Sequence, residues 1–299
     1  MPWGATSWCR FTREATYGVR NPSPGGTDVL WARLYNDNAF TMRPVVNRQI
    51  IRTADAGNRR RQVVHARTSL AGGLATLAYP SQMAYWWALC TLTSNDLPSC
   101  TIDFFDSTRV IGYLGAKIGS MAYGSSATQD YDTLGLQLTA QRVDATMTTL
   151  PQPADTVFPT EVPYEHVESA GNVTVGGSTL TKYSSLSWTL TNILGPTWDE
   201  LAYITNLYYC GRDFDFSMVP QYLSTTWRTD FEAQSPLVCS LNWTRLGTAP
   251  HAMTIDLKST NYIGSIADNI PLGAPTYQTV SVQDFFDTST TTDFAITVT

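Results

Sequence analysis

The feature that most constrains this chain is a period-two alternation of apolar and polar residues. Leu134, Leu136 and Leu138 alternate with polar neighbours, and the same pattern recurs over residues 186–190, 253–257 and 294–298. Because successive side chains of a strand point to opposite faces, the alternation predicts half-buried β-strands. Charged residues are only 15% of the chain, so the polar faces of these strands must be largely Thr, Ser and Asn.

Two segments instead show helical spacing. Residues 81–92 follow Pro80 and place apolar side chains at intervals of three and four, with Ser81 as a candidate N-cap. A second helix is predicted from about Pro220 to Ala233, since proline is tolerated in a first turn. The predicted fold is mostly β, with sandwich- or barrel-forming units that each carry one flanking helix.

A proline, a tryptophan and a cysteine recur in the same order in each half of the chain. Proline and tryptophan are seven residues apart both times, and each cysteine closely follows another proline and opens a strand-like segment. An ordered match of this kind predicts a tandem duplication with an offset of 139–140 residues. The landmarks are Pro80, Trp87 and Cys100 in the first half and Pro220, Trp227 and Cys239 in the second.

The duplication divides the chain into two predicted domains. Residues 1–150 form the first domain with a basic N-terminal arm, residues 151–165 a linker, and residues 166–299 the second domain. Four prolines between 151 and 163 suit an extended linker.

Catalytic and metal-binding sequence patterns are scarce in this chain. The chain has no GxSxG, Walker A, GxGxxG or HExxH motif and only three histidines. Five widely spaced cysteines without a CxxC favour reduced, mostly buried thiols over a zinc site. The pair Asp213 and Asp215 has strand spacing that a glycosidase or calcium site could use, but an ordinary solvated strand explains it better. We therefore expect no enzyme activity, no cofactor and no metal.

Charge is distributed unevenly along the chain. Residues 1–67 carry a net +7 and the remainder a net −13. Arg59, Arg60 and Arg61 lie between two strand-like segments, at a predicted hairpin tip. Such a tip could contact phosphate or an acidic patch on another copy, and the overall asymmetry favours head-to-tail contact between copies.

Several segments resemble the tail tube proteins of long-tailed bacteriophages, in an order and spacing that cover most of the chain. They include a TYG start, a strand leading to a proline-initiated helix, a Gly-Ala-Lys strand and a Pro-Tyr link to a second domain. The segments are REATYG (13–18), RRRQVVHARTSLAGGLATLAYPSQMAYWWAL (59–89), GYLGAKIGSM (112–121), VPYEHVESAGNVTVGG (162–177) and SSLSWTLTNIL (184–194).

The resemblance implies a structural virion protein that assembles in the host cytoplasm. Its rings would stack into a tube through which double-stranded DNA passes without specific binding. Two units per chain imply a homotrimeric, pseudo-hexameric ring, with a homohexamer as the alternative. The implied partners are the protein itself, the tape measure protein and the tail terminator and initiator proteins, with no membrane.

A conduit for DNA should not bind phosphate tightly, so an acidic or Ser/Thr-rich lumen is expected. Asp103 and Asp256, both on predicted strands, are the candidate lumen acids, and Arg59–Arg61 are the candidate inter-ring contact. Two alternative functions remain open on the sequence: a phage carbohydrate- or receptor-binding β-protein, for which the abundant Trp and Tyr would stack on sugars, and a head–tail connector component.

Overall fold

The computed structural model describes fourteen parts of the chain. These are residues 7–34, 40–52, 60–93, 95–105, 109–144, 154, 157–169, 173–180, 182–198, 203–221, 224–244, 252–270, 276–284 and 294–298.

Within the described ranges, the first half contains eight strands and one α-helix, joined in a mostly antiparallel arrangement that confirms the mostly-β prediction. The elements are β1 (Trp8–Arg13), β2 (Val29–Arg33), β3 (Phe40–Arg52), β4 (Arg60–Leu77), α1 (Pro80–Cys90), β5 (Cys100–Phe105), β6 (Val110–Ser126), β7 (Thr133–Ala140) and β8 (Arg142–Asp144).

The second half has the same order of elements. They are β9 (Val173–Val175), β10 (Ser178–Leu180), β11 (Tyr183–Thr197), β12 (Asn206–Pro220), α2 (Thr225–Ala233), β13 (Leu237–Thr244), β14 (Ala252–Asn269), β15 (Tyr277–Asp284) and β16 (Phe294–Val298).

The strand pairings of the two halves correspond one to one. In the first half β1 pairs with β2 and β5, β5 with β6, β6 with β7 and β8, β7 with β4, and β4 with β3. In the second half β9 pairs with β10 and β13, β13 with β14, β14 with β15 and β16, β15 with β12, and β12 with β11. The ladder between β6 and β11 joins the halves.

Irregularities in the ladders also recur at equivalent places. The β6–β7 register shifts between Ile118 and Ser120, and the β14–β15 register shifts between Ile263 and Ser265. Both shifts skip the glycine of an Ile-Gly-Ser tripeptide, at positions 119 and 264. This repeated tripeptide is a sequence signal of the duplication that the proline, tryptophan and cysteine landmarks did not include.

Helix α1 begins at Pro80, one residue before its predicted start, and packs Trp86 edge-on against Phe11 at a ring-centroid distance of 4.8 Å. The prediction that Ser81 is the N-cap is wrong, because Tyr79 holds that position and Ser81 already lies inside the first turn.

The prediction that the second helix starts at Pro220 is wrong. Pro220 ends strand β12, and α2 begins five residues later, where the Ser224 side chain accepts a hydrogen bond from the backbone N–H of Trp227. The Ser224 hydroxyl accepts from one of the backbone N–H groups that the first turn of a helix leaves without a partner, and a proline side chain has no acceptor for that role.

Residues 157–165 of the predicted linker pack against the first half. Tyr164 is fully buried, its N–H donates to the carbonyl of Ala78, and its carbonyl accepts from the N–H of Asp132. Phe158 is also buried and lies under the guanidinium of Arg33, 4.4 Å from the ring centroid. This part of the segment is therefore fixed against the domain that precedes it.

All five cysteines are free thiols. Four of them are buried, as the sequence predicts, and Cys210 is exposed.

Candidate assembly surface

Eight strands form one continuous antiparallel sheet, four from each half of the chain. Their order is β3-β4-β7-β6-β11-β12-β15-β14. Within the described ranges, the outer edge of β3 has no strand partner, and neither does the outer edge of β14 over residues 265–269. The sheet therefore ends in two open edges, one from each half.

One face of this sheet is a dense apolar layer. At the junction of the halves, Tyr123 of β6 stacks on Trp188 of β11 with ring centroids 5.4 Å apart and an interplanar angle of 3°. Trp243 of β13 meets Tyr123 edge-on at 5.0 Å. All three rings are almost completely buried, so this face belongs to the core that both halves share.

Among the described side chains, the opposite face is mostly small and polar, with Arg43 of β3 as an exposed cation on it. Alternate residues of the same strands point there, most of them Ser, Thr, Ala or Gly. The described examples are Ala71, Gly73 and Ala75 of β4, Ala122 and Gly124 of β6, Thr133, Gly135, Gln137 and Thr139 of β7, Ser187, Thr189 and Thr191 of β11, and Ser265 and Ala267 of β14.

The acids on this polar face are Asp213 and Asp215 of β12. They are exposed and lie opposite Thr191 and Thr189 of β11. Partial burial raises the pKa of Asp215, and the neighbouring Asp213 carboxylate raises it further. Their i, i+2 spacing was visible in the sequence, but nothing in the sequence showed that their strand belongs to this sheet.

Asp103, a predicted lumen acid, does not present its carboxylate to solvent. It is fully buried in β5 and accepts hydrogen bonds from the guanidinium groups of Arg10 at 2.6 Å and Arg20 at 2.8 Å. Arg20 also pairs with Asp144 at 2.8 Å. The negative charge of Asp103 is thus neutralised inside the chain, together with part of the positive charge of the N-terminal segment.

The other predicted site residues are Asp256 and the arginine run 59–61, and the described ones lie on strands β14 and β4. Asp256 is half-buried on the part of β14 that pairs with β13 and β16, and accepts a hydrogen bond from Ser240 at 2.8 Å. Arg59 lies outside the described residues. The backbones of Arg60 and Arg61 begin β4, with Arg60 opposite Arg52 of β3; the predicted hairpin pairing is therefore present on either side of the segment that contains Arg59.

Glu14 connects two of the segments that resemble tail tube proteins, residues 13–18 and 112–121. One oxygen of its carboxylate accepts from the backbone N–H of Gly115 at 3.0 Å and from Thr101 Oγ1 at 2.8 Å. The other accepts from the N–H of Gly18 at 2.9 Å and from Ser99 Oγ at 2.7 Å. Four donors to a carboxylate make a strong, charge-assisted set of hydrogen bonds, which fixes the N-terminal segment to β5 and β6.

Gly115 requires the absence of a side chain. Its φ is +63°, and an added Cβ would lie 2.9 Å from the Gln141 side chain and 3.1 Å from the Tyr17 ring. The glycine of the GYLGAKIGSM segment is therefore explained by backbone conformation and by the close approach of the TYG tyrosine.

Lys117 in the same segment connects the two halves. Its side chain is buried, its Nζ lies 2.8 Å from Asp96 Oδ2, and it also donates to the carbonyl of Leu207 in β12. Asn192 of β11 donates to the carbonyl of Ile118 at 3.1 Å. Breaking the Lys117 contacts would leave a buried charge without a partner, which is energetically costly. The contacts therefore stabilise one position of β6 relative to the second half.

Together, the long antiparallel sheet, its apolar core face and its two open edges define a mostly-β protein. Residues 7–285 match the family model described as phage tail tube protein, and the chain belongs to that family. Membership implies a component of the virion tail that self-associates into a tube. A comparison with curated proteins finds no match. In the part of the chain that the structure describes, no helix has the length and apolar character to cross a membrane.

Proposed function

We propose that this chain assembles into closed rings that stack into the phage tail tube and form the conduit for DNA ejection. The observation that carries the proposal is the eight-stranded sheet with one open edge from each half. An open edge leaves backbone N–H and C=O groups without partners, which must be paired, covered or protected. Closure of the sheet through further copies removes both edges at once.

The proposed copy number rests on the repeated topology and on the pseudo-hexameric ring that the family resemblance implies. If each half supplies four strands to the wall, three chains give six equivalent units and 24 strands. The proposed ring is therefore a homotrimer with pseudo-sixfold symmetry, and a ring of six whole chains is the alternative. The proposed domain boundaries remain residues 1–150, the linker 151–165 and residues 166–299.

The polar face of the sheet is the proposed lumen wall. The other face is already occupied by the core, so the small polar face is the one that can line a channel. Lys and Arg on this wall would release counterions from DNA and hold it. Most described residues of the wall are uncharged, its acids Asp213 and Asp215 repel phosphate, and Arg43 of β3 is an exposed cation on the same face; Asp256 lies on the adjoining part of β14. DNA would therefore pass without specific binding.

Further proposals concern neighbours along the tail. Arg59, Arg60 and Arg61 follow strand β3 at its far end, and we keep them as the candidate contact between stacked rings. The other proposed partners are the tape measure protein inside the tube and the tail initiator and terminator proteins at its ends. Assembly would take place in the host cytoplasm, without catalysis, before the tube becomes part of the virion.

Electron microscopy of the purified protein, alone and with the tail initiator, tests this function. Rings of uniform diameter or tubes are expected as concentration rises. Stable monomers at high concentration with the initiator present would contradict the proposal. A glycan-binding signal from such monomers would instead favour a carbohydrate-binding protein.

A further inference from the structure

The two halves of the chain already show how one unit joins the next. Strand β11 lies antiparallel beside β6 over seven opposite residue pairs, from Ser185 with Ser126 to Thr191 with Ser120. Since the halves share one topology, the equivalents of these strands are β3 and β14. These are the two strands whose outer edges end the sheet.

Ladder positions assign equivalent residues in these strands. The register shift at the glycine of each Ile-Gly-Ser tripeptide makes Ser120 equivalent to Ser265. The β3–β4 ladder shifts after Val46 and the β11–β12 ladder shifts after Ile193, within one residue of each other in this alignment. Corresponding rows across the sheet are Met121-Leu136-Leu74-Phe40 and Ile266-Val280-Met218-Leu186.

We infer that the β6–β11 junction is repeated between copies, so that β3 of one chain pairs antiparallel with β14 of a second copy. This inference rests on the proposed ring. Transferring the internal register puts Phe40 opposite Ile270 of the neighbouring copy, Arg43 opposite Ala267, and Val45 opposite Ser265. Each pair matches an observed pair: Leu186 with Ser125, Thr189 with Ala122, and Thr191 with Ser120.

Burial distinguishes the closed junction from the open edges. At the internal junction, Met121 and Trp188 are at most 1% exposed. Their equivalents Ile266 and Met42 pack against the core but are only half-buried. Ile270, equivalent to the buried Ser125, is 71% exposed. The open edges thus carry apolar side chains that a second copy would cover, as the internal junction covers theirs.

The backbone of these edges can form the required ladder. Over Phe40–Val45 and residues 265–270, Pro44 is the residue that lacks an N–H group. Because proline cannot donate to a ladder, Pro44 removes at most one backbone hydrogen bond from the proposed pairing. The two edges differ in sequence, so the contact is head-to-tail and can be repeated until a ring closes.

Paired cysteines test the register. The variant Arg43→Cys/Ala267→Cys, in a Cys210→Ser background, places two thiols at positions exposed in the single chain. Directly opposite residues have Cβ atoms about 4.5–5.5 Å apart, within reach of a short bifunctional thiol reagent. The matched control is Arg43→Cys/Ile266→Cys, because a slip of one residue moves the second thiol to the other face. Thr41→Cys/Asn269→Cys is an independent pair in the same register.

Assembled rings or tubes of each variant are treated with the reagent and separated on a denaturing gel. We expect covalent multimers at Arg43/Ala267 and Thr41/Asn269, at least tenfold above the control. Tubes that form normally but crosslink equally well or better in the control would overturn this inference and leave the proposed function intact. Failure of the unmodified protein to form rings under all conditions would overturn both.

Discussion

Tyr123 and Asp132 lie where the two halves of the chain meet. The Tyr123 hydroxyl donates to Asp132 Oδ2 at 2.5 Å, and the Tyr123 ring stacks on Trp188 of the second half. Both side chains are buried. Desolvation by burial raises the pKa of Asp132 to about 6. The buried site therefore favours the neutral form of this carboxyl group over the charged form.

This raised pKa predicts a pH-dependent stability that Asp132→Asn removes. In the unfolded chain the carboxyl ionises near its ordinary pKa of about 3.9, and in the folded chain near 6. The stabilisation is therefore complete below about pH 4 and is lost as pH rises to 6. Relative to Asp132→Asn, the native protein should lose roughly 2–3 kcal/mol of unfolding free energy between pH 4 and pH 7.

Denaturant unfolding at several pH values measures this difference. Asp130→Asn, which removes an exposed carboxylate from the same turn, controls for the loss of one charge. Parallel pH profiles for the native protein and Asp132→Asn would show that the buried carboxyl does not titrate in this way.

The open strand edges can be tested with single charged residues. Ile270 is 71% exposed beside β14, and a lysine there should leave the monomer folded but block pairing, because charge on an edge opposes strand addition. Val238 of β13 is 69% exposed and lies outside both edges, so Val238→Lys is a matched control. Analytical ultracentrifugation should show Ile270→Lys mostly as monomer and Val238→Lys assembling as the native protein does.

Normal assembly of Ile270→Lys would contradict the proposed role of the edge. Val45→Lys, on the opposite open edge, should have a smaller effect, because the 42% exposed Val45 shares the polar face of β3 with the native Arg43. Equal thermal unfolding of all three variants would confirm that the monomer remains folded.

Local patterns predicted most of the elements. The alternations around residues 134–140, 186–190 and 253–257 are strands, and the first helix begins within a residue of its predicted start. Strand partners were not predictable, because alternation shows which residues share a face but not which strand lies alongside. The same limit applies to Asp103, whose strand β5 is covered on both faces over its first four residues.

At the scale of the whole molecule, the charge asymmetry of the sequence is only partly a surface property. Arg10 and Arg20 neutralise Asp103 and Asp144 within the chain. The remaining candidate for long-range contact is the run Arg59–Arg61. Replacing all three with Ser should slow ring stacking. The difference in stacking rate from the native protein should shrink at high salt, because salt screens the interactions between surface charges. Light scattering during assembly measures this rate, and identical rates at all salt concentrations would exclude the run as a stacking contact.

The central claim is that the eight-stranded sheet closes through other copies into the wall of a tube. A three-dimensional reconstruction of the assembled tube by electron cryomicroscopy tests it most directly. The account predicts three chains per ring and a continuous 24-stranded wall, with β3 beside β14 of the next chain and Asp213 and Asp215 facing the channel. A wall built from other strands, or a channel in which Asp213 and Asp215 face away from the lumen, would contradict it.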